Sequence, residues 1–129
     1  MSAPAAPSST RARGAAAEAA AAAFLERRGW RIVARNYRSR EGEVDLVATD
    51  GRILAFVEVK SSRDDDHGSP LERVGAAKQR TIVRVARHFL ARHGDLAASL
   101  DVRFDVVALR APGTAEEQMV HLEDAFRAG

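Results

Sequence analysis

The apolar and polar positions of this chain change period several times, and each change marks an element. From Arg13 to Arg28 small apolar residues and good helix formers run almost unbroken up to Gly29, which predicts a helix closed by a C′ glycine. Trp30 to Tyr37 alternates and predicts a strand, and two β-rich runs follow, Glu43 to Thr49 and Arg52 to Lys60, joined by the hairpin dipeptide Asp50-Gly51. Ser61 to Pro70 is polar. From Leu71 to about His93 the apolar residues Val74, Ala77, Ile82, Val85, Phe89 and Leu90 recur at helical spacing, with Gly94 beyond the end. Val102 to Leu109 and Met119 to Leu122 read as strands, separated by the turn cluster Ala111-Pro112-Gly113-Thr114. The order α-β-β-β-α-β-β predicts an α/β domain with a mixed sheet of about five strands flanked by helices.

A two-residue turn at Asp50-Gly51 would pair Thr49 with Arg52 and set Asp45 opposite Phe56 and Glu43 opposite Glu58. In that register Glu43, Asp45, Val47, Leu54, Phe56, Glu58 and Lys60 share one face, and the other face is wholly apolar. Asp45 and Glu58 become diagonal neighbours, about 7–8 Å apart at Cα. Acids at the end of an otherwise apolar face need compensation. Either a divalent cation supplies it, or an ion-pair network with Lys60 and a nearby arginine does. Glu18 is the only charged residue from Ala15 to Leu25 and shares a helical row with Ala22 and Leu25. It either joins this cluster or faces solvent.

Composition narrows the function classes. A chain of 129 residues with 46% hydrophobic and 29% charged residues suits one soluble domain, here 13–129, after a disordered Pro/Ser/Ala-rich tail, 1–12. The absence of cysteine removes thiol nucleophiles and zinc-thiolate sites, and it fits a cytoplasmic protein. No stretch approaches the ~20 apolar residues of a membrane span. The net charge is only +2, but its distribution is uneven. Residues 1–40 carry eight arginines against two glutamates, 41–72 nine acids against three bases, 73–92 six bases and no acid, and 93–129 seven acids against three bases. An acidic centre between basic segments suits a cation site serving a polyanion, and also suits ordinary solvated faces. Of the 20 basic residues only Lys60 and Lys78 are lysine. Asp64-Asp65-Asp66-His67 reads as a hydrated loop, because consecutive residues rarely converge on one ion.

Asp45 on one strand and Glu58-Val59-Lys60 on the next, with a helical glutamate upstream, resemble the PD-(D/E)xK nuclease superfamily. The stretch from Gly14 to about Phe126 resembles more closely the YraN-like bacterial family of predicted endonucleases, itself similar to archaeal Holliday-junction resolvases. The likeness rests on Ala34-Arg35-Asn36-Tyr37-Arg38, Gly42-Glu43-Val44-Asp45-Leu46-Val47, Phe56-Val57-Glu58-Val59-Lys60, Gly68-Ser69-Pro70, Lys78-Gln79-Arg80 and Arg103-Phe104-Asp105-Val106-Val107. It departs at Ala17, where the family usually has glycine, and at Ser62, where it usually has arginine. The resemblance implies a restriction-endonuclease-like fold and Mg²⁺- or Mn²⁺-dependent hydrolysis of DNA, branched or damaged DNA included. Asp45, Glu58 and Glu18 would be metal ligands, and Lys60 would orient or activate the attacking water. Resolvase-like members further suggest a homodimer. Lys78, Arg80, Arg84, Arg35 and Arg38 are candidates for phosphate contacts that position nucleic acid without reading its sequence. The competing expectation is a nucleic-acid-binding or assembly protein that keeps the fold without turnover.

Overall fold

The computed structural model describes residues 10–62, 74–111, 115 and 117–128. The elements are α1 (Thr10–Arg27), β1 (Arg31–Ser39), β2 (Gly42–Thr49), β3 (Ile53–Ser62), α2 (Ala76–Arg92), the short α3 (Gly94–Ala97), β4 (Asp101–Arg110) and β5 (Gln118–Phe126). The predicted element order is found, with α3 added. The predicted tail falls partly on residues 1–9, outside the described residues, and the helix begins at Thr10, within the segment expected as a tail. Only good or neutral helix formers separate Thr10 from Gly14, so nothing stops the helix earlier. The Asp64–His67 run, Gly68-Ser69-Pro70, residues 71–73 of the expected second helix and Pro112-Gly113-Thr114 lie outside the described residues. Helix α2 starts at Ala76 instead of near Leu71, because Val74 is not helical and Gly75 is extended.

The five strands lie in sequence order, β1-β2-β3-β4-β5. Every neighbouring pair is antiparallel except β3 with β4, whose parallel pairing needs the crossover that contains α2. Each face carries a helix, which is why the central strands are apolar on both sides. On one face Ala21, Ala22 and Leu25 of α1 pack with Trp30, Leu46, Ala48, Ala55, Val57 and Val107. On the other Ile82, Val85, Ala86 and Phe89 of α2 cover Val47, Leu54, Phe56, Phe104 and Val106. Helix α1 ends as predicted at Gly29, with φ +90°. The Gly29 N–H bonds to the Glu26 carbonyl at 3.1 Å and the Trp30 N–H to the Leu25 carbonyl at 3.0 Å, the two bonds of a Schellman end.

The β2–β3 register differs from the expected one. Thr49 pairs with Leu54 and Leu46 with Val57, so four residues, not two, separate the first pair. The Asp50 carboxylate explains the wider loop by accepting the N–H groups of Arg52 and Ile53, at 2.9 and 2.8 Å. The Arg52 carbonyl then accepts the Asp101 N–H at 3.0 Å, which ties the loop to the start of β4. Extended by one step, the observed ladder sets Asp45 opposite Glu58 instead of Phe56.

Candidate metal and phosphate site

Regular pairing stops where the acids begin. The paired part of β2–β3 ends at Leu46 and Val57, and beyond it the Asp45 carboxylate accepts the Val59 N–H at 2.7 Å. A side chain has thereby taken the place of a main-chain acceptor. Val44 and Val47, three residues apart, both pack on the α2 side, so the alternation of β2 breaks around Asp45. The expected single strict face is corrected by this break. Across the strand pair Asn36 has φ 51°, a conformation asparagine tolerates. This irregular step lets Asp45 meet Glu18 of α1 on one side and Glu58 of β3 on the other.

From α1 comes Glu18, half-buried one turn before the fully buried Ala22. Carboxylate oxygens of Glu18, Glu43 and Asp45 all lie within 4.8 Å of one another. Arg38 pairs with Glu43, so this expected phosphate contact is engaged with an acid of the cluster. Glu58 reaches the other side of Asp45 and is 4% exposed. Lys60 Nζ stands 3.6 Å from Glu58 Oε2, and Lys78 Nζ, brought by α2, stands 3.7 Å from the same oxygen. The two lysines of the chain thus flank one buried carboxylate. Arg35, Arg80 and Arg84 are exposed on β1 and α2.

The electrostatics show strain among the acids. Burial, the Asp45 charge and a hydrogen bond to Asp45 push the Glu18 carboxyl up to about 7, against a smaller opposing bond from Asn36. Burial, with the bond to Asp45 and its charge, raises Glu58 to about 8, and the opposing pull of Lys78 and Lys60 does not cancel this. In their protonated forms both glutamates donate to the Asp45 carboxylate, so protons take the place that a cation would fill. Oxygen-only donors at this spacing fit a hard divalent ion. Glu18, Glu43 and Asp45 could hold it, with Glu58 adjoining through Asp45. Sequence reasoning had put Glu43 near the acids without making it a ligand, and had missed Asn36. The signal for Glu43 was its place two residues before Asp45; the contact of Asn36 with Glu18 depends on a backbone conformation no pattern announces.

The raised values fix the sign of a linkage. Between the ordinary glutamate value of 4.5 and about 8 the folded state keeps protons that the unfolded chain has lost, so stability from these groups falls as pH rises through that window. A bound cation displaces the same protons. Millimolar Mn²⁺ should therefore raise the melting temperature more near pH ~8 than near pH ~6, with proton release on binding. Equal shifts at both pH values, measured by scanning calorimetry, would mean that the ion binds elsewhere.

Three comparisons place these features. The profile of the uncharacterised protein family UPF0102 matches residues 17–109. A UPF0102 protein of Chlorobium chlorochromatii is 42% identical over 125 residues, covering 93% of this chain and 95% of that one. A relative from Chloroflexus aurantiacus is 49% identical over 107 residues, covering 83% and 86%. Among solved structures, SfsA of Pyrococcus furiosus in complex with Ca²⁺ is 16% identical with a TM-score of 0.28, covering 88% of this chain and 61% of that one, a likeness too slight to carry an argument. With most of the chain matched by the family profile and full-length relatives above 40% identity, the chain belongs to the UPF0102 family, the YraN-like family its motifs resemble.

Proposed function

We propose that this protein is a metal-dependent endonuclease that hydrolyses phosphodiester bonds in DNA, with Mg²⁺ or Mn²⁺ held by Asp45, Glu58 and Glu18, assisted by Glu43. The observation that carries this reading is the buried Glu58 carboxylate, set between Asp45 and the ammonium groups of Lys60 and Lys78. When bound, the cation polarises the phosphoryl oxygen and lowers the pKa of water. The chain supplies the rest. Lys60, a compact charge beside Glu58, orients the attacking water and offsets negative charge as it grows on the phosphoryl group. Lys78 contributes a second positive charge to the same place. Arg35 and Arg38 act as phosphate contacts along the DNA, and the chain works as a cytoplasmic homodimer. No helix among the described residues is long and apolar enough to cross a membrane.

Purified protein should nick or cut at least one member of a plasmid, junction, flap and RNA panel with Mg²⁺ or Mn²⁺, and Lys60→Ala should remove that activity. Lys60→Arg keeps the charge but spreads it over a planar group, and should lose activity as well. A panel left intact under both metals would refute the enzyme. A binding protein without turnover is the second reading, favoured by the two lysine contacts that compensate part of the Glu58 charge with no ion. Salt-dependent DNA binding that survives Glu58→Ala and Lys60→Ala, with no heat of metal binding, would support it.

A further inference from the structure

Two surface grooves, of about 420 and 470 Å³, lie away from the carboxylate cluster. The smaller one runs between the flank of α2 and the residues after β5, with Arg80, Arg84 and Arg87 on one side and Arg127 on the other. Helix α2 contains no acidic residue, and these three arginines follow at i, i+4 and i+7. Such spacing stacks like charges on one stripe, which costs a few tenths of a kcal/mol per pair in an isolated helix. Arg80, Arg84 and Arg87 are exposed, and none of them is paired with a carboxylate among the described residues. Arg127 is held by Asp124 at 2.9 Å, so one acid stands at the rim.

Position on the helix separates this groove from the proposed reaction site. At about 100° per residue, Arg80, Arg84 and Arg87 lie roughly 180–240° round the axis from Lys78. Lys78 reaches Glu58 at the end of the face that also buries Ile82, Val85 and Phe89. One short phosphodiester cannot touch both sides of α2. Along the axis the arginines are about 6 and 4.5 Å apart at 1.5 Å per residue, a row about 10 Å long that spans more than one phosphate of a strand at ~3.4 Å of axis per phosphate. Guanidinium groups suit such a row, because each grips phosphate oxygens through a planar fork.

We infer that the Arg80–Arg84–Arg87–Arg127 groove is a second nucleic-acid site, which holds the phosphate backbone of a polynucleotide at a distance from the scissile bond. This rests on the nucleic-acid part of the proposed function and adds a substrate requirement. Substrates must be long enough to pass from the carboxylate cluster round α2, so activity on DNA depends on length while activity on a small phosphodiester does not depend on the groove.

The test uses the full chain and the Arg80→Gln/Arg84→Gln/Arg87→Gln variant. Glutamine is a good helix former, and the variant relieves like-charge contacts, so its melting temperature should not fall. Binding to a labelled 20-base-pair duplex is followed by fluorescence anisotropy in EDTA over a salt series. The variant should bind at least about tenfold more weakly, and the slope of log K against log salt should shrink by about 2.7 if all three contacts are lost. Arg127→Gln should reduce it by about 0.9. Mn²⁺-dependent hydrolysis of bis(p-nitrophenyl) phosphate should be unchanged in both variants. A slope equal to wild type overturns the groove, and leaves the nuclease standing if the wild type still cuts. A groove-dependent slope in a protein that cuts nothing supports the groove and refutes the nuclease instead. Equal, arginine-dependent binding of poly-glutamate would overturn the nucleic-acid assignment in favour of an acidic protein partner.

Discussion

Glu58→Gln is expected to reduce metal-dependent cleavage by about 10²–10³-fold or more while making the metal-free protein more stable near pH ~8. The two effects come from one cause. Glu58 is 4% exposed, and its surroundings favour the neutral carboxyl, with a value near 8. Glutamine copies that neutral form and can still donate to Asp45, so the cost of ionising a buried acid disappears. The gain should be on the order of 1–3 kcal/mol, since each pKa unit corresponds to about 1.4 kcal/mol and the two lysine contacts are lost in return. Removing the negative oxygen beside the metal site, however, takes away attraction for the cation and the partner that holds Lys60. Melting in EDTA and cleavage with Mn²⁺ on the same preparation read both quantities. A variant that is less stable yet fully active would show Glu58 to be a structural acid only.

Asp105→Ala should cost about 3–5 kcal/mol, a large part of the ~5–15 kcal/mol that holds a domain of this size together. Asp105 is fully buried and accepts two bonds from Arg103, Nε to Oδ1 at 2.8 Å and Nη2 to Oδ2 at 2.9 Å. It also meets His121 Nε2 at 2.7 Å and accepts the Asp124 N–H at 3.0 Å. Burial alone would raise its carboxyl, but the His121, Arg103 and Asp124 bonds outweigh that and hold it below the ordinary aspartate range. Truncation leaves the Arg103 guanidinium, which also lies over the Trp30 ring at 5.6 Å, with only the exposed Glu123 carboxylate at 3.6 Å in place of its buried bidentate partner. The pH dependence has the opposite sign from that of Glu58. Stability from Asp105 is present above the unfolded value of 3.8 and is lost as pH falls through the lower folded value. Urea titrations of wild type and variant should therefore converge at acid pH.

Much of the architecture could be read from the chain because local and long-range preferences agree. Gly29 stops α1 where the apolar run stops, and the α2 row of Ile82, Val85 and Phe89 is buried as its spacing requires. The β2–β3 register could not be read, because Asp50 bonds two backbone N–H groups and opens a loop that Asp50-Gly51 alone does not specify. The acids were visible as a group since strand parity survives a shift of two residues. Their real arrangement depends on the irregular step at Asn36 and Asp45. The Asp105 network was hidden because an aspartate in an apolar strand looks the same whether its partners are water or Arg103 and His121. The reach of Lys78 to Glu58 depends on how α2 is docked, and helix spacing alone does not set that.

The alanines of α1 have a consequence for the carboxylates. Ala21 and Ala22 are fully buried against the sheet, and side chains of one carbon let the helix backbone lie close to the strands. Glutamate has only two methylenes with which to reach Asp45, so the thickness of this contact layer sets how near Glu18 comes. The small residues act as a spacer of fixed gauge: each carbon added to it would move the helix outward and open the cluster on that side. The alanine richness of this segment is then a tolerance on the spacing of oxygen atoms, set one helical turn away from them.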